Sequence, residues 1–197
     1  MHPPVPPMDA SRFLIPNFNA VRLFDIASFA ITPQEYADFL CRLFNRWFNR
    51  GSPEVSITLF ENILMAYLGL APEICIFRNQ CQGYLVIEYN GDVYPCDFFV
   101  ERNWRLGNLL EIPLRKIAQN KKRYQFAEKK ELVSQKCQNC RWNFICRNGC
   151  PRRRYIQREN FYDVDYFCEA YQKFFIYSEA RFKLLAKKYQ YHLLQGA

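Results

Sequence analysis

The most regular alternation of apolar and polar positions lies between residues 32 and 48. Thr32-Pro33-Gln34-Glu35 has the sequence of a capping box with proline at the first helical position. The apolar positions that follow recur three and four residues apart: Tyr36, Phe39, Leu40, Leu43, Phe44, Trp47 and Phe48. This pattern predicts an amphipathic helix. It places Cys41 at the edge of the apolar stripe, as a free thiol that is packed or half exposed.

The other patterns in the first 71 residues are shorter. Phe13-Leu14-Ile15-Pro16 is typical of a buried strand, Val55–Ile57 is predicted as a second strand, and a helix is predicted from about Leu59 to Leu68. The order of strand, helix, strand and helix is typical of parallel α/β folds. We therefore expect residues 1–71 to form one domain at the edge of a larger parallel α/β assembly.

A hairpin is predicted after residue 75. Two runs with strand-like composition, Tyr84–Tyr89 and Asp92–Tyr94, flank the dipeptide Asn90-Gly91. This dipeptide favours a type I′ turn, because both central residues of that turn need a positive φ.

Two helices are predicted beyond the hairpin, from Pro113 to about Lys130 and from about Asp165 to Leu194. The second has a single apolar stripe, formed by Phe167, Tyr171, Phe174, Phe175, Phe182, Leu185 and Tyr189. We therefore expect it to pack on the core of a second domain, residues 72–197. The expected fold class is α+β, with a partial α/β segment followed by a cysteine-rich domain that contains the hairpin and the long final helix.

Length and composition indicate a globular protein. The chain has 197 residues, of which 50% are hydrophobic and 17% aromatic. It contains no run of about 20 apolar residues, the length that a membrane-spanning helix needs. The opening Met1-His2-Pro3-Pro4 lacks the basic and apolar regions of a signal peptide. The expected location is therefore the cytoplasm, with no membrane partner.

Eight of the nine cysteines form one ordered series, Cys75-x5-Cys81-x14-Cys96, Cys137-x2-Cys140-x5-Cys146-x3-Cys150 and Cys168. In a reducing compartment such a series indicates metal ligands rather than disulfides. Neither of the two histidines, His2 and His192, is spaced as a ligand. Two sites with four thiolates each suit Zn²⁺ or [4Fe–4S] clusters, and spacing alone separates these poorly. The wide separation of the ligands and the carboxylate of Asp97 beside Cys96 favour iron.

The net charge is +8, and much of the excess lies between Arg115 and Arg158. Lys121-Lys122-Arg123 and Arg152-Arg153-Arg154 belong to this basic segment. It is consistent with a solvated basic face, with positive side chains around charged clusters, or with binding of nucleic acid or an acidic partner. Because no nucleic-acid motif accompanies the charge, nucleic acid is the less favoured partner.

The cysteine-rich half resembles the SPASM region of anaerobic sulfatase-maturating enzymes, which are radical S-adenosylmethionine (SAM) proteins. Residues 1–71 resemble the last strand–helix units of the (β/α) barrel of these enzymes, so the chain resembles their C-terminal half. The matching segments are Cys81-Gln82-Gly83-Tyr84, Asn90-Gly91-Asp92-Val93-Tyr94-Pro95-Cys96-Asp97, Leu106-Gly107-Asn108, Cys137 to Pro151 and Cys168-Glu169. The resemblance implies that one auxiliary [4Fe–4S] cluster is bound by Cys75, Cys81, Cys96 and Cys150. It implies that a second is bound by Cys137, Cys140, Cys146 and Cys168.

The resemblance also implies a catalytic role for Asp97. In the family the matching aspartate is the proposed base that deprotonates a cysteine or serine of a sulfatase peptide while a 5′-deoxyadenosyl radical removes its β-hydrogen. The product leads to formylglycine. We expect this carboxylate to be held away from water beside a cluster, where its pKa is adjusted for proton transfer.

The sequence departs from the family in several places. The Cys-x3-Cys-x2-Cys segment that binds the SAM-cleaving cluster is absent from the sequence. We therefore expect a truncated chain that is inactive alone, or that works with a separate radical SAM barrel supplied by another chain, and SAM is expected as a cofactor only with such a barrel. Phe98 stands where the family often has histidine, and Asn148 where it usually has a glycine. The alternative function is a non-catalytic module that binds zinc through four cysteines and binds nucleic acid or protein through its basic surface.

Overall fold

The structure is a computed structural model that describes residues 30–81, 84–158 and 161–195. All of these residues except Ala30 belong to the compact unit Ile31–Ala197. The predicted strand Phe13–Pro16 lies outside the described residues. The helices are α1 (Pro33–Phe48), α2 (Thr58–Tyr67), α3 (Leu114–Ala118), α4 (Lys121–Glu128), α5 (Gln135–Gln138), α6 (Asn143–Cys146), α7 (Pro151–Arg158) and α8 (Cys168–Gln195). The strands are β1 (Val86–Ile87), β2 (Asp92–Tyr94) and β3 (Gly107–Asn108).

Helix α1 begins with the predicted capping box. The Thr32 hydroxyl oxygen accepts a hydrogen bond of 3.2 Å from the Glu35 backbone N–H. The Glu35 carboxylate in turn accepts one of 2.9 Å from the Thr32 backbone N–H. Two donors that the helix itself leaves unsatisfied are thereby paired. The prediction for this helix is confirmed, and the helix ends at Asn49, whose φ of 39° is left-handed.

The main core lies between α1, α2 and α8. Phe44 of α1 is fully buried, and its ring lies 5.4 Å from that of Phe60, 5.5 Å from Phe174 and 4.7 Å from Phe182. Contacts between aromatic edges and faces at such distances add to the free energy of burial. Phe39, in contrast, is 50% exposed although it was predicted within the apolar stripe. Cys41 is partly buried against the core, as predicted.

The predicted strand Val55–Ile57 is wrong. The segment is irregular, Val55 is 68% exposed, and its carbonyl accepts a hydrogen bond of 2.9 Å from the Trp47 indole N–H. Ile57 has extended backbone angles because it is the N-cap of α2. A strand requires a neighbouring strand that pairs with its backbone N–H and C=O groups. Here the Val55 carbonyl is paired with an indole N–H, and Ile57 is the N-cap of a helix. The domain boundary near residue 71 stays a prediction, and the helices on both sides of it share one core.

The predicted hairpin is confirmed, but its turn is not type I′. Asn90 has no positive φ, whereas Gly91 has a φ of 85°. The Gly91 N–H donates to the Glu88 carbonyl at 2.9 Å, and the Glu88 N–H donates to the Asp92 carbonyl at 2.8 Å. This is a three-residue loop in which a left-handed glycine follows the turn. Within this loop only Gly91 has a positive φ, and the Asn90 side chain accepts a hydrogen bond of 3.0 Å from the Asp92 N–H.

The described residues form one antiparallel sheet in the order β1-β2-β3. Val86 pairs with Tyr94 across the hairpin, and Val93 pairs with Gly107 on the other side. The strand β3 was not predicted, since two residues are too few to show a period. Val93 is buried with Leu106 and Ile117 in a second, smaller core. The sheet thereby positions the loop that follows β2 and contains Cys96 and Asp97.

The helix predicted from Pro113 to Lys130 is divided into α3 and α4. The break occurs at Asn120, which caps α4 by accepting a hydrogen bond of 2.9 Å from the Lys122 N–H. The Asn120 amide also donates to the Leu106 carbonyl at 2.6 Å and fastens the break to the sheet. An asparagine that satisfies backbone groups on both sides stabilises a helix boundary rather than a helix interior.

The final helix begins later than predicted, at Cys168 instead of Asp165. Asp165 precedes the helix, and its carboxylate accepts a hydrogen bond of 2.8 Å from the Phe167 N–H. Five of the seven predicted stripe positions are fully buried, Tyr171, Phe174, Phe175, Phe182 and Leu185. Among the described residues no helix is both long and apolar enough to cross a membrane.

Candidate metal centres

Four cysteines from separate segments line one cavity. Cys75 begins a short 3-10 turn, Cys81 follows it, Cys96 comes two residues after the end of β2, and Cys150 directly precedes α7. The folding of the sheet and of α7 therefore brings together residues that lie up to 75 positions apart in the sequence. These are the four cysteines that the family resemblance assigned to the first cluster. Their role as ligands stays a prediction.

The cavity is shielded by apolar side chains. Ile76, Pro95, Phe99, Phe126 and Pro151 complete most of its wall. Burial raises the pKa of the Cys75 thiol, that of Cys81 to about 11 and that of Cys96 to about 12. These groups are therefore protonated thiols at neutral pH unless a positive centre binds them.

The other four cysteines surround the start of α8. Cys137 lies in α5, Cys140 follows that helix, Cys146 ends α6 and Cys168 begins α8. Burial, together with smaller effects of negative charge on neighbouring cysteines, raises the pKa of Cys146 to about 12 and that of Cys168 to about 11. The neighbours that act on Cys168 include Cys137 and Cys140, while Cys168 and Cys137 act on Cys146. The structure thus gathers the second predicted set as well.

A left-handed turn connects the two sets. Arg147, Asn148 and Gly149 have φ values of 47°, 65° and 66°. Asparagine tolerates this left-handed conformation, so the departure from the family's glycine at position 148 leaves the turn intact. The turn reverses the chain between Cys146, which belongs to the second set, and Cys150, which belongs to the first. The conformation of these three consecutive residues therefore sets the position of Cys146 relative to Cys150.

Asp165 fastens this turn to the start of α8. Its carboxylate is almost fully buried and accepts hydrogen bonds from the Cys150 N–H at 2.8 Å and from the Arg153 Nε at 2.9 Å. The carboxylate also accepts a third hydrogen bond, of 2.8 Å, from the Phe167 N–H. A buried carboxylate is stable only when it is paired and hydrogen-bonded in this way. The sequence does not reveal this role, because a lone aspartate before a helix normally indicates a cap.

Two buried cations lie beside the cysteines. Lys130 and Arg154 are both fully buried, which is rare for unpaired charged side chains. The Lys130 ammonium donates to the carbonyl oxygens of Cys75 at 2.7 Å and Ile76 at 2.9 Å. The basic segment therefore contributes positive side chains around the thiols. This is one of the explanations that the sequence allows for the positive charge of the segment. No local signal in the sequence identified these two residues.

Asp97 lies beside the first set of cysteines, but it is exposed to solvent. The expectation that it is held away from water is therefore wrong, because the loop after β2 turns the side chain outward. The Tyr84 hydroxyl donates a hydrogen bond of 2.8 Å to Asp97 Oδ1, and the Cys96 thiol lies 3.4 Å from the same oxygen. Burial and the Asp97 hydrogen bond raise the pKa of Tyr84. The tyrosine thus remains a donor that orients the carboxylate.

The residues around the cavity have the chemistry of iron–sulfur cluster ligands. Within the described residues, no group of three or more His, Cys, Asp or Glu side chains has the arrangement of a single-ion site. The donor set around the cavity consists of soft thiols, which are the ligands of iron–sulfur clusters and of zinc. The Nε–H of Arg154 is buried without a hydrogen-bond partner. An orphaned donor next to sulfur ligands is satisfied when an anionic group with acceptor sulfurs binds there.

Comparisons with known proteins agree with this chemistry. Residues 75–141 match the SPASM family model, described as an iron–sulfur cluster-binding domain. The chain is 31% identical over 156 residues to a cysteine-type anaerobic sulfatase-maturating enzyme of Clostridium perfringens, covering 78% of this chain and 42% of that protein. It is 28% identical over 152 residues to a serine-type enzyme of Bacteroides thetaiotaomicron, covering 76% of this chain and 37% of that protein.

Solved structures give the same result. The structure described as native anSMEcpe with bound AdoMet and Kp18Cys peptide matches with a TM-score of 0.74 at 31% identity, covering 83% of this chain and 46% of that one. A His-tagged form with bound AdoMet matches with the same TM-score. The chain thus spans less than half the length of the relatives that it matches. It is similar to the C-terminal part of the anaerobic sulfatase-maturating enzymes and contains their SPASM iron–sulfur cluster-binding domain.

Proposed function

We propose that the chain is the two-cluster SPASM region of a sulfatase-maturase-like radical SAM enzyme. Cys75, Cys81, Cys96 and Cys150 bind one [4Fe–4S] cluster, and Cys137, Cys140, Cys146 and Cys168 bind the other. The reaction of the whole enzyme is the oxidation of a cysteine or serine in a sulfatase peptide to formylglycine. The SAM-binding barrel is contributed by a further part of the protein or by another chain.

One observation supports this proposal most strongly. Four thiols from segments that are distant in sequence line a single apolar cavity. The buried ammonium group of Lys130 donates to the backbone carbonyl of one of these cysteines, Cys75, and has no acidic partner among the described residues. A cluster with four thiolate ligands is negatively charged, so it would compensate this cation. A core that held neither metal nor anion would leave a fully buried lysine as a destabilising group.

The chain's own residues have separate tasks in this proposal. The clusters supply single-electron transfer when they are bound. Asp97 accepts the proton of the substrate thiol or hydroxyl, and its exposure leaves it accessible to a peptide. Tyr84 holds one carboxylate oxygen by its hydrogen bond and thereby directs the other oxygen outward. Phe98 is 58% exposed beside Asp97 and offers an apolar contact to the peptide.

Anaerobic purification and reconstitution of the chain with iron and sulfide test the cluster proposal. We expect a brown protein with broad absorption near ~400 nm and about eight iron atoms per chain, since each cubane contains four. Cys41→Ser is the matched control, because Cys41 lies in α1, apart from both sets, and should leave the iron content unchanged. A colourless protein that binds about two zinc ions per chain would contradict the proposal and support the zinc module.

The second candidate, a zinc module that binds nucleic acid through its basic segment, receives less support. Lys130 and Arg154 of that segment are fully buried, and Arg153 pairs with Asp165 through a contact of 2.9 Å. These three cations are therefore directed inward. The basic side chains that remain exposed in α4 include Lys121 and Lys122. They form a smaller surface than the sequence suggested.

A further inference from the structure

Lys130 and Arg154 lie beside the first set of cysteines. Lys130 lies just beyond the end of α4 and reaches the backbone of Cys75 and Ile76. Arg154 lies in the first turn of α7, where its N–H donates to the Cys150 carbonyl at 3.2 Å. Both side chains are fully buried. Lys130 follows α4 and Arg154 lies within α7, so the two come from different segments of the chain.

The two side chains are linked to each other through the backbone. The Arg154 guanidinium donates to the Lys129 carbonyl at 3.0 Å and the Lys130 carbonyl at 3.2 Å, and it also donates to the Leu132 carbonyl. The chain that presents Lys130 is thereby fixed by Arg154. In the part of the chain that the structure describes, neither cation forms an ion pair with a carboxylate. The nearby Asp165 is engaged by Arg153.

Both cations interact with cysteines of both sets. Burial lowers the pKa of Lys130, and thiolate charge on Cys81, Cys150, Cys75 or Cys146 opposes this change. Burial likewise lowers the pKa of Arg154, and charges on Cys81, Cys137 and Cys150 oppose this change. Cys146 and Cys137 belong to the second set, and the others belong to the first. Each cation therefore stands within electrostatic range of both proposed cluster sites.

We propose that Lys130 and Arg154 form a shared cationic layer that raises the reduction potentials of both clusters. This inference rests on the proposed function. A cluster with four thiolate ligands gains one negative charge when it takes up one electron from a reductant, and no bond forms or breaks. A fixed positive charge in a region of low dielectric constant stabilises the reduced form more than the oxidised form. The two residues act on the clusters and are not catalytic residues.

The layer has a consequence for electron transfer between the sites. Since each cation acts on both clusters, removal of one charge must shift two midpoint potentials together. A cation that served only to satisfy backbone carbonyls would leave the potentials unchanged when a neutral donor replaced it. The potential therefore separates an electrostatic role from a structural one.

The test is a redox titration of the reconstituted full chain with dithionite, followed by electron paramagnetic resonance. Lys130→Gln removes the charge but keeps a hydrogen-bond donor. We expect both midpoints to become more negative, by at least a tenfold change in the reduction equilibrium constant, which is about 59 mV for one electron. Lys122→Gln removes the same charge from an exposed position in α4 and should leave both midpoints at the wild-type values.

The outcomes distinguish this inference from the proposed function. A wild-type chain that binds no iron contradicts the proposed function itself. A Lys130→Gln chain with full iron content and wild-type midpoints overturns only the inference. If Lys130→Gln lost its iron, Arg154→Lys and Arg154→Gln would decide. Arg154→Lys keeps the positive charge, and we expect its iron content and midpoint potentials to be near wild type. Arg154→Gln removes the charge, and we expect lower iron content or more negative potentials. Equal behaviour of the two variants would overturn the inference.

Discussion

The Tyr84 hydroxyl donates a hydrogen bond of 2.8 Å to the carboxylate of Asp97, across the base of the hairpin. The contact joins Tyr84, two residues before β1, to Asp97, the residue that follows Cys96. It fixes one carboxylate oxygen and leaves the side chain exposed at the edge of the cysteine-lined cavity. The proposed role of Asp97 as a base and that of Tyr84 as the donor that orients it can therefore be tested separately.

Asp97→Asn should abolish most peptide oxidation while both clusters are retained. A general base typically contributes about 100-fold to 10,000-fold to a rate, and asparagine cannot accept the proton. The measurement is formylglycine formation by mass spectrometry, in a reaction completed with a radical SAM barrel, together with the iron content. Tyr84→Phe should cause a smaller decrease, because it removes only the orientation of the carboxylate. Wild-type turnover by Asp97→Asn would reject the assignment of the base.

The division of the eight cysteines into two interleaved sets predicts which variants resemble each other. Cys150→Ser should lose the same spectroscopic signal as Cys75→Ser, although Cys150 is closer in sequence to Cys146. Cys146→Ser should instead resemble Cys168→Ser. Each variant should lose up to about four iron atoms per chain, the content of one cubane. A sequential division of the cysteines would give the opposite grouping of Cys150 with Cys146.

The sequence predicted those parts of the fold whose cause is local. The capping box at Thr32 and the glycine at position 91 act through neighbouring residues, and both are where the sequence placed them. The prediction of a strand at Val55 was wrong, because a short apolar run does not show whether a neighbouring strand is available to pair with it. The burial of Lys130 was not predictable, because its stabilisation depends on carbonyls 54 and 55 residues away.

The candidate site was predictable to a similar extent. Thiol chemistry and spacing indicated metal ligands, and the family resemblance supplied the grouping of the cysteines. The exposure of Asp97 was not predictable, because it depends on the direction of the loop after β2. Asp165 was missed for the same reason: its three hydrogen-bond donors, on Cys150, Arg153 and Phe167, converge only after the left-handed turn has formed.

Gly149→Ala should destabilise the chain and reduce its iron content. Gly149 has a φ of 66°, and a Cβ there would lie 2.2 Å from Asp165 Oδ2. The positive φ alone costs roughly 1–2 kcal/mol for alanine. Displacement of Asp165, which accepts from the Cys150 N–H, should bring the total to about 3 kcal/mol or more.

Gly69→Ala is the matched control for this substitution. Gly69 has a similar φ of 74°, but no atom lies within 4 Å of an added Cβ. It should lose only the backbone contribution of roughly 1–2 kcal/mol and keep its iron. Chemical denaturation and iron analysis measure both effects. Equal destabilisation of the two variants would refute the role assigned to the Gly149–Asp165 contact.

Phe44→Ala should lower the free energy of unfolding by about 3–5 kcal/mol. The side chain is fully buried, and its removal leaves a cavity between the rings of Phe60, Phe174 and Phe182. Phe39→Ala removes the same group from the same helix at a position that is 50% exposed, and it should cost much less. Thermal and urea unfolding distinguish the two. A similar loss in both variants would contradict the core between α1 and α8.

The salt bridge at the hairpin predicts a particular dependence of stability on pH. Hydrogen bonds from Asn108 and Arg105 lower the pKa of Asp92. The charged carboxylate therefore stabilises the folded chain above the unfolded pKa of about 3.9. This contribution is lost as the pH falls through the lower pKa of the folded state. Asp92→Asn should thus reduce stability at pH 7 and flatten the decrease of Tm below about pH 4, since asparagine does not titrate.

Glu111→Gln provides the control for that pH dependence. Glu111 approaches the same arginine, but at 3.7 Å, and its side chain is 64% exposed. An exposed pair at such a distance contributes little to stability because solvent screens it. The Tm profile of Glu111→Gln between about pH 3 and 7 should therefore follow the wild type. If Glu111→Gln flattened the acid limb as much as Asp92→Asn did, the hydrogen bonds of Asn108 and Arg105 to Asp92 would not be the cause.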